Sequence, residues 1–155
     1  MPKLIRALVV AALAFSLVAA TGCGDSNKEK NAYVDAVNKA QTDFSTTFDR
    51  LSRQITSTST PGQDRRTLQG FQHAIDGVVH DLKAVKAPDG VRPLHQRLIS
   101  EISSYGDQIA KAQKAFASHE ASKIVKAQTD LVSAVTQVSA DINRTIDQIN
   151  QRLRQ

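Results

Sequence analysis

The sequence predicts an all-α chain, an antiparallel up-down four-helix bundle placed after an N-terminal signal peptide. Three observations lead there. Apolar residues recur at steps of three and four along four separate stretches, the spacing of one face of an α-helix. Pro61-Gly62 and Ala87-Pro88-Asp89-Gly90 interrupt those stretches where turns belong. No segment shows the period-two alternation of a half-buried strand, and short connections favour antiparallel neighbours.

The first helix is expected over residues 27–56. Tyr33, Val37, Ala40, Phe44, Phe48, Leu51 and Ile55 follow one another at steps of 4, 3, 4, 4, 3 and 4. Ser26-Asn27-Lys28-Glu29 has the form of a capping box, with Ser26 as N-cap. Ser57 to Thr60 exhausts the pattern. Thr60-Pro61-Gly62-Gln63 then opens a second helix over 61–86, with Thr60 as cap, Pro61 at the first helical position and Gln63 reaching back. Its stripe is Leu68, Phe71, Ile75, Val78, Leu82 and Val85, and Lys83 and Lys86 complement the dipole of its last turn.

A third helix is expected over 90–117, capped by Asp89, with Pro93 in its first turn. Leu94, Leu98, Ile102, Tyr105, Ile109, Ala112 and Phe116 form its stripe. The fourth, over 119–154, carries Ile124, Leu131, Val135, Val138, Ile142, Ile146, Ile149 and Leu153. Neither Gly nor Pro separates these two helices. A break is placed at Ser118-His119-Glu120, where polar residues replace the stripe and Ser118 can cap, the alternative being one unbroken helix that continues through the gap with a small phase drift.

The N-terminal 22 residues read as a leader. Met1 to Arg6 is short and cationic, and Ala7 to Ala20 is an apolar run of 14 residues interrupted only by Ser16. A spanning helix needs about 20 apolar residues, so the run is short for a permanent anchor. It closes on Leu17-Val18-Ala19-Ala20-Thr21-Gly22-Cys23, which contains the only cysteine. This stretch resembles the lipobox of bacterial membrane lipoproteins. Thr21, Gly22 and Cys23 match its last three positions, while Ala20 stands where Leu or Val is usual. The resemblance implies cleavage before Cys23, a covalent diacylglycerol on its sulfur and attachment to the outer side of the bacterial cell membrane. An A-x-A-like site at Val18-Ala19-Ala20 offers the other outcome, plain secretion with an incidental Cys23. Residues 23–26 would then be the lipidated tether and 27–155 the bundle.

Removing residues 1–22 from the 155 leaves 133, enough for one core without disulfide or metal. Of 20 basic residues, Lys3 and Arg6 leave with the leader, so 18 face 15 acidic ones, a net charge of +3. That bias is spread along the chain and does not indicate nucleic-acid binding; anionic lipid or a wall polymer suits it better. One cysteine excludes an internal disulfide, and lipidation accounts for the odd thiol.

Candidates for chemistry are few. His73, Asp76 and His80 point away from the second stripe, and the two histidines lie about 10.5 Å apart along the axis, too far to share an ion without further ligands. His95 and His119 have no evident nucleophile or acid beside them. No Glu-x-x-His, Cys-x-x-Cys-His, Gly-x-Ser-x-Gly, Walker or His-Glu-x-x-His motif occurs. No catalytic, cofactor or metal residue is assigned, and no enzyme is expected. Gly70, Gly77 and Ala84 recur every seven residues on the second helix. A helical glycine costs about 1 kcal/mol against alanine, so a seam for a partner helix or a second copy is one reading. Close packing within the bundle is the other.

The loop Leu82-Lys83-Ala84-Val85-Lys86-Ala87-Pro88-Asp89-Gly90-Val91-Arg92-Pro93-Leu94-His95 is similar to a pattern in small, uncharacterised helical lipoproteins of actinobacterial type. Asp89 stands where that pattern has a second proline, and the resemblance implies no activity. His95 is expected to pack against this loop from the first turn of the third helix. Two function classes follow: a tethered, non-enzymatic binding or envelope-structural module acting on an envelope protein or wall polymer, or a carrier or sensor of a small apolar ligand held between the helices.

Overall fold

The computed structural model describes residues 25–54, 60–118 and 120–155. Four helices account for most of them: α1 (Asp25–Ser52), α2 (Pro61–Ala84), α3 (Arg92–Ala117) and α4 (Ala121–Leu153). No strand occurs among the described residues. Cys23, Ile55 to Ser59 and His119 lie outside them, as do the side chains of Ser26, Phe48, Phe116 and Val135.

The helix ends differ from expectation in instructive ways. Asp25 is already helical, so Ser26 lies inside α1 and is not its N-cap. The capping box of α2 is present, with the Gln63 amide donating to Thr60 Oγ1 at 3.3 Å and the Thr60 amide to Gln63 Oε1 at 2.7 Å. Yet α2 stops two residues early. Val85 is extended at φ −76° and ψ 124°, which lets Ala87 and Pro88 turn inward and bury, and proline in turn keeps its predecessor out of the helical region.

Asp89 does not cap α3. Val91 occupies that position without a side-chain bond, and Asp89 pairs instead with the Arg92 guanidinium. A hydrophobic residue serves here because burial replaces capping: Val91 is 1% exposed. Ser118 also acts on the other side of its turn. Its hydroxyl donates to Ala115 O at 2.7 Å, closing α3, while α4 begins after Glu120 with no side-chain cap.

Each helix turns its predicted stripe inward. Tyr33, Val37, Ala40, Phe44 and Leu51 are buried on α1, and Leu68, Phe71, Ile75, Val78 and Leu82 on α2. From α3 come Leu98, Ile102, Tyr105, Ile109 and Ala112; from α4, Leu131, Ile142, Ile146, Ile149 and Leu153. Val34 and Thr145 are buried as well, outside the predicted stripes. Val85, Leu94 and Val138 sit at the margin, partly covered. The principal interfaces join consecutive helices, α3 with α4 most extensively.

Two glycines set helix distances. A Cβ on Gly70 would fall 2.7 Å from Leu51 Cδ2, so α1 and α2 approach closely there. A Cβ on Gly106 would fall 3.1 Å from both Ile75 Cγ2 and Gln72 Nε2, which brings α3 equally near α2. Nothing within 4 Å opposes a Cβ on Gly77, and the residue is exposed. Gly77→Ala is therefore expected to raise unfolding free energy by about 0.5–1 kcal/mol, through helix propensity alone. Gly70→Ala should gain less or lose stability, because buried Leu51 must move. Urea titrations of both variants provide the comparison.

Candidate functional site

The polar residue most deeply built into the fold is His95. Arg92 and Pro93 start α3, and the His95 amide donates to Val91 O at 2.9 Å, so its imidazole enters the core one turn in. It is 4% exposed. Nε2 lies 2.9 Å from the Leu82 carbonyl at the end of α2, and Nδ1 lies 3.1 Å from the Tyr33 hydroxyl of α1. A carbonyl only accepts, so Nε2 carries the proton and donates, leaving Nδ1 to accept from Tyr33. The two rings meet edge to face, with centroids 5.4 Å apart at 75°.

The joint thus ties three helices with both imidazole nitrogens. Desolvation holds the His95 pKa below its ordinary value, against a smaller upward pull from its bond to Leu82. Burial pushes the Tyr33 hydroxyl far above its usual range, so it stays protonated and able to donate. Neither partner is a nucleophile or an acid. The geometry supports a neutral structural bridge, as the first-turn reading of His95 anticipated, and its Tyr33 partner was not foreseeable from 62 residues away.

A second polar cluster joins α3 to α4 midway. Glu101 Oε1 accepts from Arg97 Nε at 2.8 Å and from Thr145 Oγ1 at 3.1 Å. Nearby Asp141 accepts from Gln137 at 3.0 Å and Arg144 at 2.8 Å. The Gln137 bond, with Arg144 and Arg97, holds its carboxyl below the usual range. These are charges neutralising one another along a helix seam.

Three open grooves mark the surface. One, about 590 Å³, runs between α1 and α2 over Ala32, Ala36, Ala84 and Val85, with Lys28 and Lys86 on its rim. A second, about 610 Å³, lies between Gly90, Pro93 and Leu94 and the end of α4 at Gln151 and Arg152. The third, about 390 Å³, separates Ala112 and Ala115 of α3 from Ala127 and Leu131 of α4. All three lie beside the core on the outer surface.

The other sequence candidates do not assemble. His73, Asp76 and His80 are exposed, and Asp76 accepts from Gln72 on its own helix at 3.1 Å. Among the described residues no group of three His, Cys, Asp or Glu is placed to hold a metal ion. Of the two readings of Gly70, Gly77 and Ala84, close packing within the bundle is the one seen at Gly70. Gly70 faces Leu51 and Ala84 lines the groove shared with α1, so at both positions the neighbour is the bundle's own first helix. Gly77 alone faces open space. His119 and Cys23 lie outside the described residues.

The chain matches no protein-family model, no curated protein and no solved structure.

Proposed function

We propose that the chain is a bacterial membrane lipoprotein, cleaved before Cys23 and held by diacylglycerol on that thiol. Its helices then form an antiparallel up-down bundle on the extracytoplasmic side, a non-enzymatic binding or structural module of the envelope. The observation that carries this reading is the leader ending in the chain's only cysteine, two residues ahead of α1. No helix among the described residues is long and apolar enough to cross a membrane, so in this reading the lipid alone provides the hold. The contacts support the helix order: Gly70 near the start of α2 meets Leu51 near the end of α1, and Lys86 after α2 reaches Glu29 in α1 at 3.6 Å.

A binding module is favoured over a carrier of apolar ligands because the stripes meet one another. Leu98, Ile142 and Ile149, on the facing stripes of α3 and α4, are all 0% exposed, and the grooves described are open to the surface. Partners would be met through the outer faces, as an envelope protein or a wall polymer.

Cys23→Ala is expected to release the protein from the membrane fraction and to abolish incorporation of labelled fatty acid. In the native protein, the amino-terminal proteolytic fragment should begin at Cys23 and carry the added mass of diacylglycerol. An unmodified fragment beginning at Thr21, or unchanged membrane retention with no lipid mass, removes the reading.

A further inference from the structure

The structure gathers one pole of the molecule around the start of α1. Lys86 reaches Glu29, His95 bonds both Tyr33 and Leu82, and Pro93 and Leu94 share a groove with Gln151 and Arg152. The first turns of α1 and α3 therefore stand beside the last turns of α2 and α4. Cys23 precedes this pole by only two residues, a reach of at most about 7 Å. The opposite end of α4 is about 50 Å away for its 33 residues at 1.5 Å each.

This pole carries Lys28, Lys30, Lys83, Lys86, Arg92, Arg152 and Arg154 against Asp25, Glu29, Asp81 and Asp89. The four lysines come from two helix ends facing each other, and Lys28 and Lys86 border the alanine-floored groove between them. Lys86 is 87% exposed at its side chain, and its 3.6 Å contact with Glu29 is a loose surface pair that leaves the ammonium accessible. The far pole, with Arg50, Arg53, Arg65, Arg66, Lys111, Lys114, Lys123 and Lys126 against Asp49, Asp64, Asp107, Glu120 and Asp130, carries the same net charge. Distance distinguishes them. Membrane surface potential decays within a Debye length, about 8–10 Å at ordinary ionic strength, so with the tether at the near pole an end-on pose brings that pole alone within its reach.

We propose that this near pole is a docking surface for anionic phospholipid headgroups, which seats the bundle end-on against the bilayer with its α1–α2 lysines in the headgroup layer. The inference rests on the lipid-anchor reading for its geometry, but its chemistry is separate: the anchor supplies proximity and the lysines supply orientation. The tether is short enough to bring this pole to the surface, and each basic residue placed there adds about five-fold to the partitioning onto an anionic membrane. On a neutral surface the same anchor leaves the bundle free to tilt.

The test uses the purified native protein on vesicles of phosphatidylcholine alone and of phosphatidylcholine with 30 mol% phosphatidylglycerol, read by flotation and by amine labelling with mass spectrometry. Protection of Lys28, Lys30, Lys83 and Lys86 by about three-fold or more on the anionic vesicles, relieved by 0.5 M salt, is the expected result. Lys111, Lys114, Lys123 and Lys126 should label alike on both. Equal labelling of the two poles on anionic vesicles overturns the docking proposal while leaving the anchor intact. Failure to float with neutral vesicles overturns the anchor instead. In that case, salt-sensitive flotation with anionic vesicles that weakens at least five-fold in Lys83→Glu/Lys86→Glu supports the docking surface, and no flotation overturns it.

Discussion

His95→Ala is expected to destabilise the bundle by about 3 kcal/mol, measured by urea unfolding near pH 7.5. Removing the imidazole opens a void between α1, α2 and α3 and takes a partner from two groups, leaving one of them stranded. The Tyr33 hydroxyl loses its acceptor and the Leu82 carbonyl loses one donor, retaining the Val85 amide at 3.0 Å. Tyr33→Phe, which preserves the ring and leaves only Nδ1 unsatisfied, should cost about 1–2 kcal/mol. A loss below about 1 kcal/mol for His95→Ala would show that the joint contributes little.

The same joint predicts a pH dependence whose sign follows from the burial of the imidazole. Protonated His95 would carry a proton on Nδ1, directed at a tyrosine hydroxyl that already points its own proton there. The folded pKa is accordingly lowered, chiefly by desolvation, below the ordinary value of 6.5. Between the two values the unfolded chain binds more protons, so stability rises with pH. Its contribution is complete above about pH 6.5 and declines as pH falls below that value towards the folded pKa. The charged groups near the joint are the Lys86–Glu29 pair and Arg92. The His95→Ala variant should show a shallower slope between pH 6.5 and 5 than the native protein.

Leu98→Ala should be comparably severe, costing about 3–4 kcal/mol and lowering the thermal midpoint by roughly 10 °C or more. Leu98 is 0% exposed and lies at the heart of the α3 stripe, between the buried Val91, His95 and Ile102 turns. Truncation removes three carbons from a region enclosed on all sides, which can relax only partly. The gradient along the molecule is part of the prediction. Leu94→Ala, one turn earlier and only partly covered, should cost about half as much, and Val125→Ala, at 62% exposure, should change stability by no more than about 0.5 kcal/mol. A flat response across these three would mean that the interior is loosely packed.

Much of the helical arrangement was legible because periodicity survives without knowledge of neighbours. The run from Tyr33 to Leu51 and the run from Leu68 to Leu82 could belong to nothing but helical faces, and Tyr33, Val37, Ala40, Phe44, Leu51, Leu68, Phe71, Ile75, Val78 and Leu82 are buried as expected. Helix ends were less legible. Asp89 has the chemistry of a cap, yet burial of Val91 displaced it from that role, and Ser118 was equally able to close one helix or open the next. Thr145 reads as an exposed helical threonine until α3 brings Glu101 to its hydroxyl.

The sequence by itself determined the four amphipathic stripes and the proline- and glycine-marked turns, because these depend on residues within a few positions of one another. Tertiary structure alone decided that Tyr33 and Leu82 enclose His95, that Gly70 and Gly106 let α2 approach its neighbours, and which basic residues share a pole with the start of α1. Each of those pairings joins positions far apart in the chain. Their energy exists only once the helices pack, so local spacing carries no trace of it.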